Sequence, residues 1–236
     1  MIDILYVAFN RLEMTQPSFQ ELLDNTQWDQ VRTLYLADDG STDGTREYLM
    51  EAARRWGGQV VFNGERLGGP VAAMNWYLEA SGEACEVFAK IDNDFVVCPG
   101  WLSEMLSVLS RQPGLDVLGT EPMLGDPVLP LLRGRGIEPA THIGGKGLIR
   151  KRVFSLCRPV PAGQNGYFGW TQFQTAHPFS RAWISPDLPC FGLDQLPFEP
   201  WQSLAEEYEQ KGWARRWPPY HEGATAYWQW WLDAQD

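Results

Sequence analysis

Apolar residues fall into short dense runs separated by stretches of helical period. Residues 2–9, IDILYVAF, form a nearly continuous apolar run, the pattern of a strand covered on both faces in a parallel sheet. Asn10-Arg11 ends it, and the pattern predicts a helix from about Pro17, with proline in its first turn and Phe19, Leu22 and Leu23 on the apolar stripe. The strand signature returns over residues 31–37 and stops at Asp38-Asp39-Gly40-Ser41. Ser41 or Asp43 is placed to cap a helix carrying Tyr48, Leu49 and Ala52, and residues 59–62 make a third strand. A helix over 69–80, a strand over 87–91, a helix over 101–109 and a strand over 115–119 continue the rhythm. Such alternation predicts an α/β fold, a Rossmann-like, mostly parallel sheet sandwiched by helices, with ligands at the carboxyl ends of its strands.

The regularity fades after residue 120. Residues 121–141 are rich in Pro and Gly, as in a loop or lid, and residues 143–150 read as a further strand. The last third is aromatic, with helices expected near 200–210 and 221–234. Three parts of one compact domain result: 1–120, 121–199 and an aromatic-rich C-terminal extension, 200–236.

Composition narrows the function classes. The 236 residues carry 19 Lys and Arg against 30 Asp and Glu, a net charge of −11, with Gly and Pro too sparse for a low-complexity chain. No apolar run reaches the ~18 residues of a membrane span, and the N-terminus lacks a secretory pattern, so a cytoplasmic protein is expected. The four cysteines show no CxxC spacing, which leaves zinc and disulfide frameworks unsupported. Between Arg133 and Arg158 lie Arg133, Arg135, Lys146, Arg150, Lys151, Arg152 and Arg158 against one acid, Glu138. A basic strip on an acidic body can admit a polyanion at one place, and a solvated face is the plainer reading. Twelve tryptophans suit a core, and they also suit stacking on sugars and bases.

The chemistry is written in two acidic turns. Asp92-Asn93-Asp94 follows an apolar strand, and two carboxylates at i and i+2 on such a turn repel unless a cation joins them. Mg²⁺ or Mn²⁺, which prefers carboxylate and phosphate oxygens, is the natural companion, with Asp92 and Asp94 as its ligands. The other turn, DDGSTDGT from Asp38 to Thr45, ends an earlier strand of the same sheet. Its carboxylates can accept from a nucleobase N–H or ribose hydroxyls.

Taken together, these residues resemble the family 2 glycosyltransferases, which have the GT-A fold. The resemblance rests on Ala8-Phe9-Asn10-Arg11, the DDGSTDGT turn, Asn63-Gly-Glu-Arg-Leu-Gly-Gly69 running into a helix with Ala72-Ala73-Met74-Asn75, and Asp92-Asn93-Asp94. It implies a nucleotide-diphosphate sugar donor, a UDP-sugar first, and transfer to an acceptor hydroxyl. It places Asp38 and Asp39 at the nucleoside and Asn10 or Arg11 at the nucleotide rim. Gly68, Asn75, Asp92 and Asn93 complete the donor site, and Asp92 and Asp94 hold the metal, with Asp94 counted as catalytic. Residues 1–120 thereby become the nucleotide-sugar half and 121–199 the acceptor half.

His142–Arg150 looks like the family's Gly-rich strand lining the sugar and acceptor pocket. Beyond it the family carries a carboxylate at a helix start as general base, whereas residues 168–177 here hold no acid. His177 is the candidate base, its ordinary pKa near 6.5 suiting the task. Asp187, Asp194 and a retaining mechanism are the alternatives. The acceptor stays open among a glycan, a phosphorylated or nucleic-acid acceptor met by the basic strip, and a hydroxymethylated DNA base. A sugar-nucleotide pyrophosphorylase and a non-catalytic carbohydrate- or nucleotide-binding module are the competing functions.

Overall fold

A computed structural model describes residues 1–56, 58–97, 99–119, 137–139, 143, 147–156, 158–161, 168–184 and 190–192. The strands are β1 (Ile2–Ala8), β2 (Val31–Asp38), β3 (Val60–Asn63), β4 (Val87–Asp92), β5 (Phe95–Val97), β6 (Val117–Gly119), β7 (Ile137–Pro139), β8 (Gly147–Arg150), β9 (Arg181–Ile184) and β10 (Cys190–Gly192). The α-helices are α1 (Leu12–Asn25), α2 (Thr45–Arg55), α3 (Pro70–Ser81), α4 (Trp101–Arg111) and α5 (Phe168–Ala176). An eight-stranded sheet has the order β3-β2-β1-β4-β8-β6-β9-β7, and β5 pairs with β10 apart from it.

The expected α/β sandwich is realised, with a reversal in its second half. The first four strands are parallel, while β8 runs antiparallel to both of its neighbours, β4 and β6. Strand order reverses beside β1, where connections lead away in both directions and leave a crevice at the carboxyl ends of the strands.

Period-2 alternation in β1 sorts its side chains between two cores. Ile4, Tyr6 and Ala8 join Phe19, Leu22, Leu49, Trp101 and Met105 from α1, α2 and α4. Leu5 and Val7 join Val71, Met74 and Tyr77 of α3 and Trp170 and Phe173 of α5 on the other face. All seven residues of β1 are buried, Asp3 included. Its carboxylate accepts from Arg32 through Nε at 2.8 Å and Nη2 at 2.6 Å, and from the Tyr77 hydroxyl and the Cys85 thiol at 3.0 and 2.9 Å. Burial and this neighbouring carboxylate both push the Cys85 thiol above its ordinary range.

Several boundaries differ from the sequence pattern. Helix α1 starts at Leu12 and carries Pro17 inside it. The Leu12 N–H donates to Asp43 Oδ2 at 3.0 Å, so the capping acceptor comes from another loop and leaves no local signal. Strands β7, β9 and β10, the 3₁₀ turns at 151–156 and helix α5 were not anticipated, being too short or too irregular for periodicity to reveal. The helices expected at 200–210 and 221–234 lie outside the described residues, as does most of the 121–141 loop. Trp101 and Trp170 are buried, which makes them core. Among the described residues no helix is long and apolar enough to cross a membrane.

Candidate active site

Beyond β1 the chain makes an uncommon turn, with Asn10 at φ 51° and Arg11 at φ 63°. Two consecutive non-glycine residues in the left-handed region cost on the order of 1–2 kcal/mol each, so neighbouring contacts must hold them there. Asn10 supplies those contacts. Its N–H donates to Ser41 Oγ at 2.7 Å, its side-chain oxygen accepts from the Thr42 N–H at 2.9 Å, and its carbonyl accepts from Asn93 Nδ2 at 2.7 Å. Arg11 Nη1 meets Asp94 Oδ2 at 2.9 Å. The Asn10-Arg11 turn thereby ties both acidic turns into one crevice at the ends of β1, β2 and β4.

Each carboxylate has its own surroundings. Asp38 Oδ2 accepts from the N–H groups of Gly40 and Ser41 at 3.1 and 3.0 Å and from Arg46 at 3.3 Å, while buried Oδ1 has no partner among the described residues. Asp39 Oδ1 accepts from the N–H groups of Leu67 and Gly68, and Oδ2 from Gly69 at 2.9 Å. Positive φ at Gly68 and Gly69, 100° and 111°, lets three successive amides turn toward one side chain. Asp43 bridges the start of α1 to that of α2, accepting from Leu12 and Thr45 N–H groups. Burial opposes its ionisation, but the hydrogen bonds outweigh burial and hold its pKa below the ordinary value.

At the second turn Asp92 closes β4, and Asn93-Asp94 turns the chain into β5. Lys90, two residues earlier on the same face of β4, is 1% exposed and places its ammonium on Asp92 Oδ1. A lone lysine in the apolar run before the triplet was a legible signal that sequence reading passed over. Asn93 also donates to Thr15 Oγ1 at 2.7 Å, fixing the turn to α1. Tyr6 donates to Ser18 Oγ at 3.1 Å and Ser18 to the Phe95 carbonyl at 2.6 Å, bracing the same corner from below. Phe9, immediately before the Asn10-Arg11 turn, is half exposed.

The structure brings together Asn10, Arg11, Asp38, Asp39, Gly68, Asp92, Asn93 and Asp94. Asn75 and His177 stand apart from that constellation. The Asn75 amide exchanges two hydrogen bonds, both 2.9 Å, with the backbone of Val160, the geometry of a staple. His177 follows the C-terminus of α5, its ring 4.7 Å from that of Phe173, and precedes Ser180, which binds the start of β6 through Asp116. Val117 lies level with Ile149, and Ile149 with Phe88, so this region is at the amino edge of the sheet. From Phe88 to Asp92 is roughly 13 Å of strand, and α5 adds a similar length from its own start. His177, just beyond the end of α5, therefore lies at the edge of the sheet opposite the crevice.

The donor set fits a hard divalent cation. Asp92 and Asp94 offer only carboxylate oxygens, and each already attracts a cationic side chain, Lys90 or Arg11. Among the described residues no three His, Cys, Asp or Glu form a cluster that could hold a metal alone. Mg²⁺ or Mn²⁺ bound here would complete its shell with water and substrate phosphates, its usual habit in phosphate sites.

Residues 3–128 match the sequence profile of the family described as Glycosyl transferase family 2, and the chain belongs to that family. No curated protein matches it. Among solved structures it is similar to S. aureus TarS 1-349 at 15% identity and a TM-score of 0.62, with 88% of this chain and 65% of that chain covered. The mannosyltransferase PcManGT from Pyrobaculum calidifontis, in complex with GDP-Man and Mn²⁺, gives 15% and 0.62, with 92% and 66% covered. GalNAc-T7 with UDP, GalNAc and Mn²⁺ gives 13% and 0.54, with 78% and 42% covered. The shared architecture is the GT-A fold, and this chain spans less than two thirds of the length of each of these structures.

Proposed function

We propose that this chain transfers a sugar from a nucleotide-diphosphate sugar to an acceptor hydroxyl. One observation carries the reading: the Asn10-Arg11 turn joins the Asp38-Asp39 turn to the Asp92-Asn93-Asp94 turn in one crevice. Asp38 serves the nucleoside site from within, its buried carboxylate fixing the Gly40 and Ser41 N–H groups and leaving Oδ1 without a partner among the described residues. Asp39 contributes by holding Leu67–Gly69 as one wall, and Phe9 offers an exposed ring for stacking. Asp92 and Asp94 would hold Mn²⁺ or Mg²⁺, which when bound neutralises the charge developing on the leaving diphosphate. Lys90 orients the Asp92 carboxylate, and Arg11 orients that of Asp94.

The acceptor proton does not pass to His177 in this reading, because that ring lies at the opposite edge of the sheet. Asp187 and Asp194, both outside the described residues, and a retaining mechanism are the alternatives, distinguished by the anomeric configuration of the product. TarS and GalNAc-T7 were solved with UDP compounds and PcManGT with GDP-Man, so both nucleotides belong in a donor panel. The test is release of nucleoside diphosphate from that panel with Mn²⁺, against EDTA and against Asp94→Asn. Release that needs metal and Asp94 supports transfer. Binding without release would indicate a non-catalytic module, and pyrophosphate-dependent formation of nucleoside triphosphate a pyrophosphorylase.

A further inference from the structure

The two cations beside Asp92 and Asp94 differ in their freedom to move. Lys90 is buried in β4 and meets Asp92 from within the sheet, so leaving that carboxylate would strand an unpaired ammonium in the interior. The Arg11 side chain is 48% exposed where its Nη1 meets Asp94 Oδ2 at 2.9 Å. Its backbone, by contrast, is fixed on both sides. The Arg11 carbonyl accepts from the N–H groups of Met14 and Thr15, both at 2.9 Å, and from Thr15 Oγ1 at 3.0 Å. Asn10, just before it, is tied to Ser41, Thr42 and Asn93. A half-exposed guanidinium therefore hangs from a rigid root at the point where the two acidic turns meet.

The formal charges of Lys90, Arg11, Asp92 and Asp94 sum to zero. A dication gains little from this group while both cations stay on their carboxylates, and a guanidinium and a dication sharing one carboxylate repel each other. Of the two cationic side chains, Arg11 is the one with water beside it into which to turn. Its planar fork suits phosphate oxygens as well as it suits a carboxylate.

We propose that Arg11 is an exchangeable counter-cation: it pairs with Asp94, yields that carboxylate to a divalent cation, and turns its guanidinium to the diphosphate of the nucleotide. The proposal rests on the nucleotide-sugar reading above and adds a coupling between metal and nucleotide carried by one side chain. Arg11 opposes the divalent cation when it comes alone and favours the nucleotide once the cation is in place, which makes the two bind cooperatively. Lys90 stays on Asp92 throughout.

Two titrations of the full chain test the exchange: Mn²⁺ alone, followed by the electron paramagnetic resonance of the free ion, and UDP and GDP by calorimetry at saturating Mn²⁺. The variants are Arg11→Gln, Arg11→Lys and Asp94→Asn, each shown to be folded by circular dichroism. Arg11→Gln should bind Mn²⁺ alone about threefold to fivefold more tightly than the wild type, the scale of one partly exposed ion pair. The same variant should bind the nucleotide at saturating Mn²⁺ about tenfold or more weakly, the loss of one charge-assisted hydrogen bond. Arg11→Lys, which keeps the charge without the fork, should bind Mn²⁺ alone as the wild type does and recover part of the nucleotide affinity. Tighter Mn²⁺ with unchanged nucleotide affinity would make Arg11 a counterion only, and weaker nucleotide with unchanged Mn²⁺ a phosphate contact only. Either result overturns the exchange while Asp94-dependent Mn²⁺ binding leaves the metal site standing. If Asp94→Asn changes neither titration, the metal reading itself fails and the exchange falls with it.

Discussion

Replacing Asp39 by alanine removes the acceptor that three consecutive amides share. Each N–H donates to a 7%-exposed carboxylate, and such bonds contribute about 1.5–3 kcal/mol apiece. The three are not independent, and water can reach exposed Gly68 once the carboxylate is gone, so the total loss should be about 3 kcal/mol. At roughly 2–4 °C per kcal/mol for a chain of this size, the melting temperature should fall by about 6–12 °C. Asp39→Asn keeps one acceptor oxygen for Leu67 and Gly68 and turns an amide toward Gly69, so its loss should be about half as large. Thermal unfolding followed by circular dichroism, with urea titration as a check on the slope, measures both. If Asp39→Ala melts within about 2 °C of the wild type, the carboxylate does not organise this loop and its place in the site must rest on direct ligand contact.

Further outcomes follow from other contacts. Arg32→Ala strands the buried Asp3 carboxylate and should cost about 3 kcal/mol in urea unfolding, the low end for a broken buried pair because Arg32 keeps a quarter of its side chain in water. Phe9→Ala should raise donor KM or Kd about tenfold, the scale of one stacked base, with little change in melting temperature. Gly147→Ala should lower stability strongly, since at φ 131° its methyl would be driven into the Leu118 carbonyl where β8 meets β6; a soluble, wild-type-like melt would contradict this packing. The depressed pKa of Asp43 contributes stability above the unfolded carboxyl value and loses it as pH falls through the lower folded value, so Asp43→Asn should flatten the acid limb of a stability-against-pH curve.

The first half of the fold was legible because its signals are local. Dense apolar runs gave β1, β2 and β4, and acidic turns at their ends marked the crevice. What escaped depended on distant partners. Leu12 begins α1 because Asp43, from a loop 31 residues away, takes its N–H. Lys90 can be buried because Asp92 shares its strand face. Antiparallel β8 approaches β6 so closely at Gly147 that a methyl there would meet the Leu118 carbonyl, a partner distant in sequence. Asp39 is expected at the nucleoside, and the structure adds its contacts with backbone amides, invisible until the 67–69 loop is placed beside it.

The central claim is that the crevice binds a nucleotide diphosphate through metal held by Asp92 and Asp94. Its most direct test is calorimetric titration of UDP and GDP, with Mn²⁺ and with EDTA, into wild type, Asp92→Asn and Asp94→Asn, each shown to be folded by circular dichroism. One of the two nucleotides should bind the wild type with Mn²⁺, at least about tenfold more tightly than in EDTA, and each variant should lose that metal-dependent increment. Equal affinity with Mn²⁺ and with EDTA, or full metal-dependent binding by both variants, would contradict the account.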